Sequence, residues 1–163
     1  CKIATEGGLG LTVHAGESGG PHSMWRALAL CGAQRIGHGV HVVDDAEERD
    51  GELTELGAFA RRVRDHRIPL EVAITSNLDT GPWATAADHP FGALYRAGFN
   101  VSINTDNRLM SATSMTREYT LAAETFGLSD QDLRGITVRA IEAGFGDWDV
   151  RREIIEAIEA EDG

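Results

Sequence analysis

Cysteine is scarce in this chain: Cys1 and Cys31 are the only two among 163 residues. Two thiols cannot staple a fold of this size, which excludes a disulfide-framed secreted module and leaves a hydrophobic core to carry the stability. Both are expected as reduced thiols of a cytoplasmic protein. Long apolar runs are missing too. The hydrophobic stretches fall far short of the roughly 20 residues of a bilayer span, and no signal-peptide pattern opens the chain, so no membrane partner is expected. Positive charge is in deficit, with 15 Lys and Arg against 26 Asp and Glu, for a formal net charge of −11. That balance repels phosphate backbones and anionic lipid, so nucleic acid is not expected as a partner either. There are no internal repeats and no low-complexity segment. The opening "CKIATEGGLG" lacks an initiator Met and reads as the end of a helix, so the chain is expected to be a piece of a longer protein.

What is present is an alternation of short apolar runs with longer helical patterns. "GLTVHA" reads as a strand, followed by a helix over 21–34 that Pro21 and Ser23 open and that carries Trp25, Leu28 and Cys31 at helical spacing. "RIGHGV" is a very short second strand. Leu53, Leu56, Phe59, Ala60 and Val63 predict one amphipathic helix over 51–66, with Arg61, Arg62 and Asp65 on its other face. "IPLEVAI" is the third strand, with Pro69 tolerated at its start. The turn-rich "NLDTGPWATAADHP" and a short helix ending at Gly98 lead to a fourth strand, "FNVSINTD". Met115, Tyr119, Ala122 and Phe126 mark a helical stripe, the capping pattern Ser129-x-x-Asp132 opens another helix, and a last one begins near Asp147. The acidic "EAIEAEDG" is expected to be solvated. The pattern predicts an α/β fold in a single partial domain over 1–163, with four parallel strands adjacent in sequence order.

Polar residues fall at the strand ends. His14 and Glu17 follow the first strand, His38 the second, Ser76 and Asn77 the third, and Asp106 and Asn107 the fourth. In parallel β/α folds the C-terminal strand ends converge on one crevice or barrel mouth, which is where ligands bind. Histidine nitrogen and aspartate oxygen suit a borderline cation such as zinc, whose bound water ionises near neutral pH. Glu17, three residues beyond His14, can carry a proton beside the substrate without binding the metal. The outline is a metal-assisted hydrolase with a spare acid. Against it, His38 between glycines could be a turn histidine, and Asp106 in "NTDN" a loop cap. His66 reads as a cation at a helix C-terminus. His22, His41 and His89 read as loop or surface residues, and the Trp25 and Tyr119 stripes as core.

The segments "TVHAGE", "RIGHG", "TSN" and "SINTDN", in that order, resemble the C-terminal half of the adenosine deaminase family of zinc aminohydrolases. The resemblance covers essentially the whole chain. It implies a TIM-type (β/α)8 barrel, of which this chain would supply strands five to eight with their helices. It further implies that His14 and Asp106 are zinc ligands and that Glu17 protonates the purine ring at N1 during attack at C6. His38 would orient the attacking water, with Ser76 and Asn77 in supporting positions. The implied reaction is hydrolytic deamination of adenosine, and of 2'-deoxyadenosine, to inosine and ammonia. The partner is then a small-molecule purine nucleoside. Asn107 stands where many members have Asp; an amide donates at any pH, so it suits the acceptor N7. Ala73 and Ile74 replace the usual Cys-Pro before Thr-Ser-Asn. The family's His-x-His, which supplies two further ligands, is absent, so activity is expected to need the missing N-terminal half of the same protein. An aminohydrolase acting on adenine or AMP is the alternative within enzymes, although Arg108 is the only cation beside the motif to greet a phosphate. A non-catalytic half-barrel is the alternative from another class.

Overall fold

The structure, a computed structural model, describes residues 1–160. A short helix α1 (Lys2–Glu6) leads to strand β1 (Thr12–Ala15), helix α2 (Pro21–Cys31) and strand β2 (Arg35–His38). A 3-10 segment (Val40–Asp45) then enters two strands, β3 (Ala46–Arg49) and β4 (Glu52–Leu56), and helix α3 (Ala58–Asp65). Next come β5 (Leu70–Val72), helix α4 (Ile74–Thr80), a 3-10 turn (Ala86–Asp88), helix α5 (Phe91–Arg96) and β6 (Val101–Ile103). Helices α6 (Met115–Phe126), α7 (Asp130–Glu142) and α8 (Trp148–Ala160) close the chain. The final three residues of the acidic tail lie outside the described residues.

The expected parallel sheet is present, in the order β1-β2-β5-β6 with every pairing parallel. Register aligns Val13 with Ile36, Ile36 with Leu70 and Leu70 with Val101, so one face is a row of β-branched and leucine side chains under the helices. Ile36, Leu70, Val72, Val101 and Ile103 are buried there with Met24, Val63, Phe91 and Leu94. Burying each such side chain contributes about 1.5–3 kcal/mol. Side-chain alternation sends Thr12, His14, Arg35 and Glu71 to the opposite face. There Arg35 pairs with Glu71 (Nε–Oε1 3.0 Å), and Thr12 donates to the same carboxylate at 2.5 Å.

The helix predicted over 51–66 is wrong in its first half. Residues 46–56 form an antiparallel hairpin, β3 with β4, closed by Asp50 (φ 54°) and Gly51 (φ 77°). Positive φ at both central residues is the two-residue turn whose twist suits a hairpin, and Asp-Gly is its favoured sequence. The misleading signal was the spacing of Leu53 and Leu56. The ladder shifts register between Glu47 and Glu48, so β4 holds one extra residue and the two leucines come to share a face three positions apart.

The Trp25 stripe is also corrected: α2 buries Met24 and Ala27, while Trp25 is 46% exposed and stacks on His22. On α6, Ala122 is buried with Tyr119 and Phe126 packed against the core, but Met115 is 43% exposed. The two cysteines are not reduced thiols. The turn after α1 brings Cys1 beside the end of α2, and the structure joins Cys1 to Cys31 with their Cα atoms 4.9 Å apart, a spacing a disulfide spans. A count of cysteines carries no information about which segments meet. The Ser129–Asp132 capping box at the start of α7 is present as expected. Asp132 also accepts the Tyr95 hydroxyl at 2.6 Å. Its carboxyl is held at about 2, first by the Ser129 hydroxyl and then by Tyr95, while Tyr95 is pushed up, first by burial. Among the described residues no helix is long and apolar enough to cross a membrane.

Candidate active site

β1 ends one residue after His14, on the sheet face away from the helices. Its register partner is Gly37, where an added Cβ would lie 3.3 Å from the His14 ring. The missing side chain therefore leaves the room in which the imidazole sits. His14 is exposed, and neither of its ring nitrogens has a hydrogen-bond partner among the described residues.

Simple alternation along β2 would send His38 to the helix-covered face beside Ile36. Instead His38 takes φ 65°, a left-handed conformation uncommon outside glycine that costs about 1–3 kcal/mol. The surrounding contacts hold it. His38 is 2% exposed, and its ring lies between Asn77 on one side and two carboxylates on the other. His38 Nε2 is 3.7 Å from Glu17 Oε2 and 4.0 Å from Asp106 Oδ2, and the His14 and His38 ring centroids are 5.2 Å apart. The four residues singled out from strand ends are thus brought together, although three separate β/α connections carry them.

Ser76 and Asn77 are not at a strand end. They lie in the first turns of α4, both buried, and act through hydrogen bonds. Ser76 Oγ donates to Asp106 Oδ2 at 2.7 Å. One turn on, the Thr80 hydroxyl is 3.2 Å from Glu17 Oε1 and 2.9 Å from the Ser76 carbonyl. Asp106 has φ 52°, a conformation Asp tolerates better than most residues. Asn107 is exposed, and its carboxamide oxygen accepts the Leu109 and Met110 N–H groups at 3.2 Å each. A cleft of about 290 Å³ opens in front of this group, walled by His14, His38, Thr105, Asp106 and Met115, with Glu71 beside them.

Two residues escape sequence reasoning. His89, read as a loop or surface histidine, is 3% exposed and lies against Asn77, with Nε2 3.3 Å from Oδ1. Burial, and then the neighbouring His38, press its pKa from 6.5 to about 3. Its position before Pro90, in a stretch without strand or helix periodicity, gives no signal of burial. Glu118 is fully buried on α6, where its carboxylate accepts the Thr75 hydroxyl, the Thr75 N–H at 3.2 Å and the Thr113 hydroxyl at 2.6 Å. It ties α6 to the start of α4 and to the loop after β6.

Parallel β/α units with histidine and carboxylate side chains gathered at the strand C-termini define part of a β/α barrel with an enzyme-like mouth. Solved structures share the architecture: 98% of the chain superposes on 45% of an adenine deaminase from Arthrobacter aurescens, at TM-score 0.85 and 21% identity. The same share, 98%, superposes on 42% of a Burkholderia ambifaria amidohydrolase solved with bound zinc, at TM-score 0.81 and 22% identity. In sequence, 132 residues are 47% identical to adenosine deaminase 1 of Streptomyces coelicolor, covering 81% of this chain and 33% of that protein. The family profile for adenosine deaminase matches residues 1–161, and the chain belongs to the adenosine deaminase family. It spans about a third of the length of the curated relatives it matches.

Proposed function

We propose that these residues form the proton-transfer side, and part of the metal-binding side, of a zinc-dependent aminohydrolase that converts adenosine and 2'-deoxyadenosine to inosine or its deoxy counterpart and ammonia. The observation that carries the reading is the placing of His38 Nε2 between Glu17 and Asp106, beside the His14 ring. His14 and Asp106 wall one cleft and are donors of the type zinc takes. They fit two positions of a coordination shell. A catalytic zinc site wants roughly three protein ligands and an open position, and no group of three metal-binding side chains is gathered among the described residues. The rest of the shell comes from outside this chain. When bound, zinc supplies a water that ionises near neutral pH.

The chain's own residues do the remainder. Water oxygen bonds to purine C6 as the ring takes a proton at N1; the proton left on that oxygen then passes to the amine, and the C6–N bond breaks to release ammonia and leave the C6 carbonyl. Glu17 delivers the N1 proton, with one carboxylate oxygen beside the Thr80 hydroxyl and the other facing His38 Nε2. His38 faces the oxygen side of C6, and Ser76 keeps the Asp106 carboxylate in place. Asn107 has spent its carboxamide oxygen on its own loop, so its N–H groups are what it can offer to N7. Arg108 is the sole cation in the loop from 104 to 114, which favours a nucleoside over a phosphate-bearing substrate.

The test is complementation. Residues 1–163 alone are expected to leave adenosine unchanged. Together with the upstream half of the family barrel, in one chain or as a second fragment, they are expected to give chelator-sensitive conversion, followed by ultraviolet absorbance. In that complete protein Glu17→Gln is expected to retain zinc by metal analysis while turnover falls ~10²–10⁴-fold. Loss of zinc in that variant would remove Glu17 from the acid role. Turnover of adenine or AMP in place of adenosine would overturn the substrate and keep the mechanism.

A further inference from the structure

A line of hydrogen bonds runs from the start of α5 into the cleft, and each link has only one allowed direction. The Phe91 N–H lies 3.1 Å from His89 Nδ1. A backbone amide can only donate, so Nδ1 carries no proton and neutral His89 bears its hydrogen on Nε2. The low pKa of this buried ring keeps the doubly protonated form out of reach at neutral pH. His89 Nε2–H therefore donates across 3.3 Å to Asn77, which must turn its carboxamide oxygen that way. Asn77 is fully buried, and its NH₂ is then aimed at His38 Nδ1, 3.1 Å away. An amide NH₂ also only donates, so His38 Nδ1 is an acceptor. The single proton of neutral His38 is left on Nε2, the nitrogen that faces Glu17 and Asp106. The reverse order would set N–H against N–H at buried contacts, each costing the desolvation of an unpaired group.

We propose that His89 and Asn77 are positioning residues that lock His38 in the Nε2–H tautomer, so that it offers the cleft a hydrogen-bond donor and not a lone pair. A donor is what a developing negative oxygen needs, and having it oriented beforehand removes a reorganisation step. That use rests on the function proposed above, whereas the tautomer itself does not.

The experiment reads the tautomer directly on residues 1–163 within the complete protein, labelled with ¹⁵N at its histidines. Spectra are taken at pH 7.5 in solution, or under magic-angle spinning if the sample associates, with His38 assigned by the signals lost in His38→Gln. In the unsubstituted chain the Nε2–H form of His38 is expected to exceed the Nδ1–H form by about tenfold or more. Asn77→Asp replaces the donor with a carboxylate that can only accept, so His38 Nδ1 is expected to gain a proton. His89→Leu frees the amide to turn and is expected to give a mixture. His89→Gln, which retains an N–H donor, is expected to restore the Nε2–H form. Nδ1–H predominating in the unsubstituted chain, or a tautomer unmoved by Asn77→Asp, overturns the proposal. Absence of deaminase activity in the complete protein leaves this measurement intact and counts against the proposed function alone.

Discussion

His89 is a histidine that folding keeps neutral, and the cost of doing so depends on pH. Its pKa is 6.5 when unfolded and about 3 when folded, lowered first by burial and then by His38. Between those values the unfolded chain binds the extra proton, so stability is fully present above pH 6.5 and drains away as the pH falls toward 3. The slope reaches about 1.4 kcal/mol per pH unit. His89→Gln lacks the titrating ring. Urea unfolding midpoints from pH 7.5 to 5.5 are therefore expected to fall more steeply in the unsubstituted chain than in the variant, and equal slopes would contradict the buried neutral state. At this scale the sequence was informative about which residues meet, since His14, Glu17, His38 and Asp106 each lie at or just beyond a strand end and come together in the fold. It was silent on His89 and Glu118, because a buried polar residue is defined by partners distant in the chain, and no local period encodes them.

The elements show where periodicity serves and where it misleads. Four parallel strands and the capped start of α7 were legible because alternation of apolar residues and a Ser-x-x-Asp box are local signals. The hairpin was missed although Asp50-Gly51 marks it, since a bulged strand repeats its half-buried leucines at helical spacing. The turn makes its own test. Gly51 has φ 77°, and a Cβ placed there meets nothing within 4 Å, so substitution costs backbone strain alone. Gly51→Ala is expected to lower stability by about 1–2 kcal/mol, read as a shift in denaturant midpoint with no change in slope. No shift would mean that the turn takes another conformation. The hairpin is also tied into the fold from outside, since Arg96 on α5 pairs with Glu52 and donates to the Gly51 carbonyl at 2.9 Å.

As a whole, the molecule is a sheet with two open sides. Among the described residues β1 pairs only with β2 and β6 only with β5, so both outer strands present unpaired backbone groups. Leu9, Leu109 and Met110 are each more than half exposed. Such edges template association. The isolated 163 residues are expected to form dimers or larger assemblies at micromolar concentration by light scattering, and the complementary half of the barrel is expected to disperse them. A monomer stable at those concentrations would show that the edges are protected by other means. The family was readable from four short segments, but the sites of association were not, because an edge exists only once neighbours are counted. Helix α4 adds a property that belongs to no single residue. In seven residues it grips three different groups: Ser76 holds Asp106, Asn77 holds His38 and Thr80 reaches Glu17. It is a shared lever. A change in the packing beneath it, at Ile74 for instance, tilts all three together, so combined substitutions along α4 cannot add as independent losses. Re-aiming one of these groups without disturbing the others has to be done from its own strand.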